Sequence, residues 1–130
     1  MSTNPKQLAE DFVVFTPEMN AVVEPNRATL YQELQQSYSG FVGHTLVAQY
    51  HFSQSWPSWE VHPHGDELVT LISGRVTLVL ETGSGEECVE LGQPGDYLLV
   101  PRNTWHTARM ERPCTLLFFT PGAGTQHRDA

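Results

Sequence analysis

From Gly43 onward, short runs of Val, Leu, Thr and Phe alternate with breaks of Gly, Pro, Asn and Ser every 8 to 12 residues or so, the rhythm of an all-β sandwich or barrel. In "ELVTLISGRVTLVLE" two such runs flank Ser73-Gly74. They predict a hairpin with strands over about 67–72 and 75–81, because glycine takes the positive φ that a two-residue turn demands. Turn chemistry at "TGSG" (82–85), "GQPGD" (92–96), "PRNT" and "ERP" then separates four further strands, "ECVEL", "YLLV", "WHTARM" and "CTLLFF". Upstream, "GHTLVAQYHF" (43–52) suits a strand. "ATLYQELQQ" (28–36) fits helix spacing through Leu30 and Leu34 as well as strand alternation, and the surrounding β pattern favours a strand.

The pattern organises the chain into one domain. Residues 1–27, with "FVVF" and "AVV" between Pro and Asn breakers, form an arm; residues 28–122 form a single barrel; residues 123–130 form an irregular tail. A length of 130 residues suffices to bury a core without disulfides.

Alternation also places candidate chemistry, since side chains two apart on a strand share a face. The strand from Glu67 carries Glu67, Val69 and Leu71 on one face, and the strand from Trp105 carries His106, Ala108 and Met110. "SWEVHPH" puts Glu60 and His62 on a common face with Trp59 and Val61 opposite, and Pro63 with Gly65-Asp66 turns the chain to bring Glu67 back beside them. Imidazoles and carboxylates over an apolar floor suit a divalent metal. A single histidine at a strand end is more often a surface or hydrogen-bonded residue, so the cluster carries more weight than its members. Gln49 and His51 share a face and could, with Met110, line the cavity. Trp56, Trp59 and Trp105 lie near the site in sequence, with Trp59 and Trp105 turned away from it. His44 and His127 have no metal-like neighbours.

Composition narrows the partners. Seven Lys+Arg against fifteen Asp+Glu give a net charge of -8, which repels nucleic acid and anionic membranes. The densest basic stretch, Arg102, Arg109 and Arg112, is interrupted by Glu111 and apolar residues. "MSTNPKQLAEDF" lacks the apolar run of a secretory signal, and no window approaches the roughly 18 apolar residues of a membrane helix. A cytoplasmic protein is the expectation. Cys88 and Cys114, without CxxC spacing and in apolar strands, are expected to be buried thiols, with a bridge between neighbouring strands as the alternative.

Two stretches carry a family resemblance: "WEVHPHGDELVTLISG" resembles the first cupin motif and "GDYLLVPRNTWH" the second. Six residues separate Glu67 from Gly74; Gly95, Pro101 and His106 keep the spacing of the second motif. The resemblance implies a cupin double-stranded β-helix, or jelly-roll, with a divalent metal (Fe, Mn, Zn or Ni) inside. Three positions depart from the motifs. Glu60 stands where the first histidine is usual, Asn103 where glycine is common, and Met110 where asparagine is common. Asn103 tolerates left-handed backbone, so the turn should be kept. The metal ligands implied are His62, Glu67 and His106, with Glu60 completing the shell, His64 as its substitute, or the metal lost and a polar pocket left in its place.

The resulting expectation is a metal-dependent enzyme, of dioxygenase or isomerase type, acting on a small oxygen-bearing molecule. If Glu60 does not coordinate, it would serve as general base. A non-catalytic ligand-binding or sensing module is the alternative. A small-molecule ligand and a homodimer are the expected partners, with neither nucleic acid nor membrane.

Overall fold

Eleven strands, one α-helix and a single 3-10 turn (Ser39–Phe41) make up the computed structural model, which describes residues 4–130. The strands are β1 (Asp11–Phe15), β2 (Ala21–Pro25), β3 (Thr45–Phe52), β4 (Ser58–Val61), β5 (Glu67–Ser73), β6 (Val76–Thr82), β7 (Gly85–Leu91), β8 (Tyr97–Val100), β9 (His106–Arg109), β10 (Cys114–Thr120) and β11 (Gln126–Asp129); helix α1 is Leu30–Ser37. They form a six-stranded sheet, β2-β1-β3-β10-β5-β8, facing a five-stranded sheet, β11-β4-β9-β6-β7. This is the expected all-β jelly-roll, built as two open antiparallel sheets rather than a closed barrel.

Alternation supplies the core. Val69 and Leu71 of β5, Leu78 of β6, Ala108 of β9 and Leu116 of β10 are fully buried between the sheets. A second cluster, including Phe12, Val14, Leu30 and Phe41, seals the end covered by α1.

Five expectations are corrected. Ser73-Gly74 does not close a hairpin: β5 pairs with β8 and β10, whereas β6 pairs with β7 and β9, so the chain crosses here from one sheet to the other. A local pattern predicts a turn equally well in either case. Residues 28–36 lie largely in α1 rather than a strand. The i, i+4 pair Leu30 and Leu34 is buried on one helix face, and the sheet edge beside β3 is already taken by β1. The N-terminal arm is a β1–β2 hairpin built into the sheet, with Val13 opposite Val47. The tail ends in β11, which pairs with β4, placing His127 opposite Glu60. Of the cysteines, both expected to be buried, Cys114 is buried but Cys88 is exposed, because β7 is the edge of its sheet; both are free.

The crossing is the tightest backbone approach at a left-handed residue. Gly74 has φ +86, and a Cβ there would lie 2.4 Å from the Pro113 carbonyl oxygen and 2.8 Å from Cys114 Cα. Both contacts are backbone, so neither can swing aside. Gly74→Ala is therefore expected to destabilise the domain by more than about 2 kcal/mol, read as a lowered urea midpoint.

Candidate metal centre

The site lies where the two sheets meet. Glu60 comes from β4, and His62 follows the end of that strand; His106 opens β9 and pairs with Glu60. Glu67 opens β5 in the opposite sheet. The two connecting turns are joined by the Asn103 N–H donating to the His62 carbonyl at 3.1 Å and by the Arg102 N–H donating to Asp66 Oδ1 at 2.9 Å. Asn103 takes φ +59, the left-handed backbone expected of it.

Glu67, His62 and His106 are 3%, 4% and 1% exposed, while Glu60 is half-buried. His106 Nε2 lies 3.1 Å from Glu67 Oε1, and His62 Nε2 lies 3.3 Å from Glu67 Oε2 and 3.5 Å from Glu60 Oε2. Donor atoms of Glu60, His62 and His106 fall within 4.8 Å of one another. Yet His62 Nε2, His106 Nε2 and Glu67 Oε1 are buried with no hydrogen-bond partner among the described residues.

The other ring nitrogens explain why. His106 Nδ1 lies 3.0 Å from the Thr104 carbonyl, which only accepts, so Nδ1 carries the proton. The Thr125 hydroxyl donates to the Gly122 carbonyl at 2.9 Å, so it receives a proton from His62 Nδ1 at 2.8 Å. Both Nε2 atoms are thus left with lone pairs turned toward a buried carboxylate, a set that calls for a cation. Two neutral imidazoles and two carboxylates balance a divalent ion, and a second partner fixing each ring is the usual support of histidine ligands. The residues fit the metal.

Without a metal, a proton on His106 supplies the positive charge that Glu67 calls for. Burial pushes the Glu67 pKa up, but His106 and His62 outweigh it and hold the carboxyl at about 2. Burial lowers His106, and the adjacent Glu67 carboxylate outweighs it, so its pKa is raised above 6.5. Glu60 is raised above 4.5 by burial and then by Glu67. The Thr120 hydroxyl donates to Glu67 Oε2 at 2.5 Å.

Not every expected position joins the cluster. His64 is exposed, packed beside Gly124 and opening onto a separate hollow of about 210 Å³ that it shares with His44. The turn after Pro63 points it outward. The main cavity, of about 1020 Å³, is lined by His51 but not by Gln49 or Met110. The even positions of β3, Leu46 to Phe52, face it, and Met110 packs against Cys114 instead, with 3.7 Å between the sulfurs. Trp59 and Trp105 lie outside the site, flanking the Arg128 guanidinium at 5.2 and 4.6 Å; Trp56 lines the cavity. His127, expected to have no metal-like neighbours, reaches Glu60 Oε1 at 4.0 Å through the β11–β4 pairing. Thr104, Thr120 and Thr125 carry no sequence signal; their roles arise only from folding.

The chain matches the family model described as Cupin domain over residues 50–120. No curated protein matches it by sequence. Among solved structures it is similar to an uncharacterized conserved protein with a double-stranded beta-helix domain from Klebsiella pneumoniae, at 24% identity and TM-score 0.53, covering 66% of this chain and 76% of that one. It is also similar to an oxalate oxidase, at 14% identity and TM-score 0.51, covering 62% and 44% of the two chains. A third likeness is to Bacillus subtilis oxalate decarboxylase, a protein with Mn(II) centers, at 16% identity and TM-score 0.52, covering 65% and 23%. These structural likenesses establish the fold.

Two outcomes follow from the geometry. Removing the Thr125 hydroxyl in Thr125→Val frees the His62 ring and should weaken metal affinity by about ten- to a hundredfold, measured by competition with a chromophoric chelator. In chelated protein the three shifts set the pH dependence. Glu67 contributes stability present above 4.5 and lost as pH falls through about 2; the raised Glu60 and His106 contribute stability lost as pH rises past 4.5 and 6.5 respectively. The Tm of metal-free protein should therefore peak near pH 4.5 and decline on both sides, and added divalent metal should restore it on the alkaline side.

Proposed function

The chain belongs to the cupin family, and from that premise we propose that it is a metal-dependent enzyme, of dioxygenase or isomerase type, that acts on a small oxygen-bearing molecule. The observation that carries this reading is the convergence of His62 Nε2, His106 Nε2 and Glu67 Oε1, all buried and all without a hydrogen-bond partner among the described residues. His62, Glu67 and His106 would hold a divalent ion in a two-histidine, one-carboxylate arrangement, with Glu60 as fourth ligand. When bound, such an ion supplies Lewis-acid polarisation of a coordinated oxygen and, for Fe or Mn, redox chemistry.

The chain's own residues do the rest. Thr104 and Thr125 hold the two rings in the tautomer that leaves Nε2 free. Thr120 holds the Glu67 carboxylate. Glu60 borders the cavity, and its raised pKa suits it to take and keep a proton from a substrate hydroxyl when it is not a ligand. The apolar core behind His106 keeps water from the inner side of the cluster. The structurally similar oxalate decarboxylase has Mn(II) centers, which supports a redox-capable ion here.

Protein purified without added metal should contain near-stoichiometric divalent ion by elemental analysis. His106→Ala should lose that ion together with turnover on a panel of small hydroxy and oxo compounds, followed by dioxygen uptake and product analysis. An inactive His106→Ala that keeps its metal would count against the ligand set. A ligand that raises the Tm of metal-loaded wild type yet is recovered unchanged after long incubation with dioxygen would favour a binding module over an enzyme.

A further inference from the structure

The cavity beside the metal cluster has a chemical character of its own. It measures about 1020 Å³, at the upper end of the roughly 300–1,000 Å³ usual for small-molecule sites. Its wall is aromatic: Phe52 packs against Tyr50 at 6.0 Å, Trp56 at 5.5 Å and Phe118 at 6.1 Å between ring centroids, and Trp56 lies 5.9 Å from Phe118. The wall starts at the cluster itself, with the Trp56 ring 6.3 Å from that of His106.

Charge points the same way. The lining includes the Glu60 and Glu67 carboxylates, and among the described residues it includes no Lys or Arg. Two carboxylates already balance a divalent ion, so an anionic ligand would enter a site whose wall, with His51 and His127 as its further basic side chains, supplies no permanent cation to offset its desolvation. A neutral molecule with an oxygen-bearing end avoids that cost, and an aromatic body gains the ring contacts of the wall.

We propose that the cavity takes a neutral aromatic ligand bearing hydroxyl or carbonyl oxygens, its oxygens toward Glu60, His62 and Glu67 and its ring along Phe52, Trp56 and Phe118. This names the substrate class of the site proposed above and rests on that reading for the role of the oxygens. Small dicarboxylates are excluded as the preferred ligand. Helix α1 helps to enclose the ligand: Tyr31 and Leu34 line the cavity, and the Tyr31 and Tyr50 hydroxyls meet at 2.5 Å.

Calorimetric titration of the full chain tests this, both loaded with Mn²⁺ and after chelation, with metal content measured on each sample. The probes are hydroxymethyl phenyl ketone, its cyclohexyl counterpart, and oxalate. The phenyl ketone should bind about three- to tenfold tighter than the cyclohexyl ketone, and at least about tenfold tighter than oxalate, the energy of one uncompensated charge contact. Phe52→Leu and Trp56→Leu should each shrink the phenyl preference without changing metal content. If one variant fails to fold, the other and the wild-type ratios still decide. Equal binding of the two ketones, oxalate binding as tightly as the phenyl ketone, or binding of neither ketone overturns the proposal. Phenyl selectivity in protein that takes up no metal sinks the metal reading and keeps this one; full metal loading with preference for oxalate does the reverse.

Discussion

Glu67 is a carboxylate almost sealed from water, 3% exposed at the first residue of a core strand. Left alone, a charge in that position would cost several kcal/mol and would protonate instead. It does the opposite, with its pKa held at about 2, because His106 and His62 flank it; the Thr120 hydroxyl donates to it as well. Each imidazole is oriented in turn by one polar group, Thr104 or Thr125. Much of the surrounding loop structure follows from keeping these five groups in place.

The carboxylate belongs to one sheet and its imidazole partners to the end of the other, so the site holds the two sheets together at one end. Its geometry depends on how the sheets are connected. The crossing at Gly74 passes so close to Pro113 and Cys114 that no side chain fits. At the site end, the bonds from Asn103 to His62 and from Arg102 to Asp66 tie the turn of one motif to that of the other. A metal bound here would add a further link between sheets already joined by protein contacts.

Beyond the cluster, three peripheral elements shape the cavity. The β1–β2 hairpin extends the six-stranded sheet, and α1 packs Leu30 and Leu34 over its inner face. Arg27 reaches both Glu24 and Glu33, and Tyr38 donates to Glu24, so hairpin and helix are held as one unit. On the far side, Arg128 lies against Trp59 and Trp105 and pairs with Glu81, which fastens β11 beside Glu60. The result is a deep aromatic recess ending in carboxylates and imidazoles.

Much of this was legible in the residues. Strand alternation and turn chemistry located β3 to β10 within a few positions, and motif spacing singled out His62, Glu67, His106 and the unusual Glu60, which the fold brings together. Those signals are local: period two, glycine at a turn, a histidine at a strand end. Which strands pair is not local. The Ser73-Gly74 turn joins two sheets instead of two neighbours; Leu30 and Leu34 favour a helix once β1 has taken the sheet edge; residues 126–129 become a strand because β4 offers them a free edge. For the same reason His64 turned outward and Gln49 and Met110 left the cavity wall, while His127 came to face Glu60. Local pattern was enough for the β architecture and the ligand types. Tertiary packing alone decided which lone pairs point inward and what surrounds them, because those depend on hydrogen bonds between residues as far apart as His62 and Thr125.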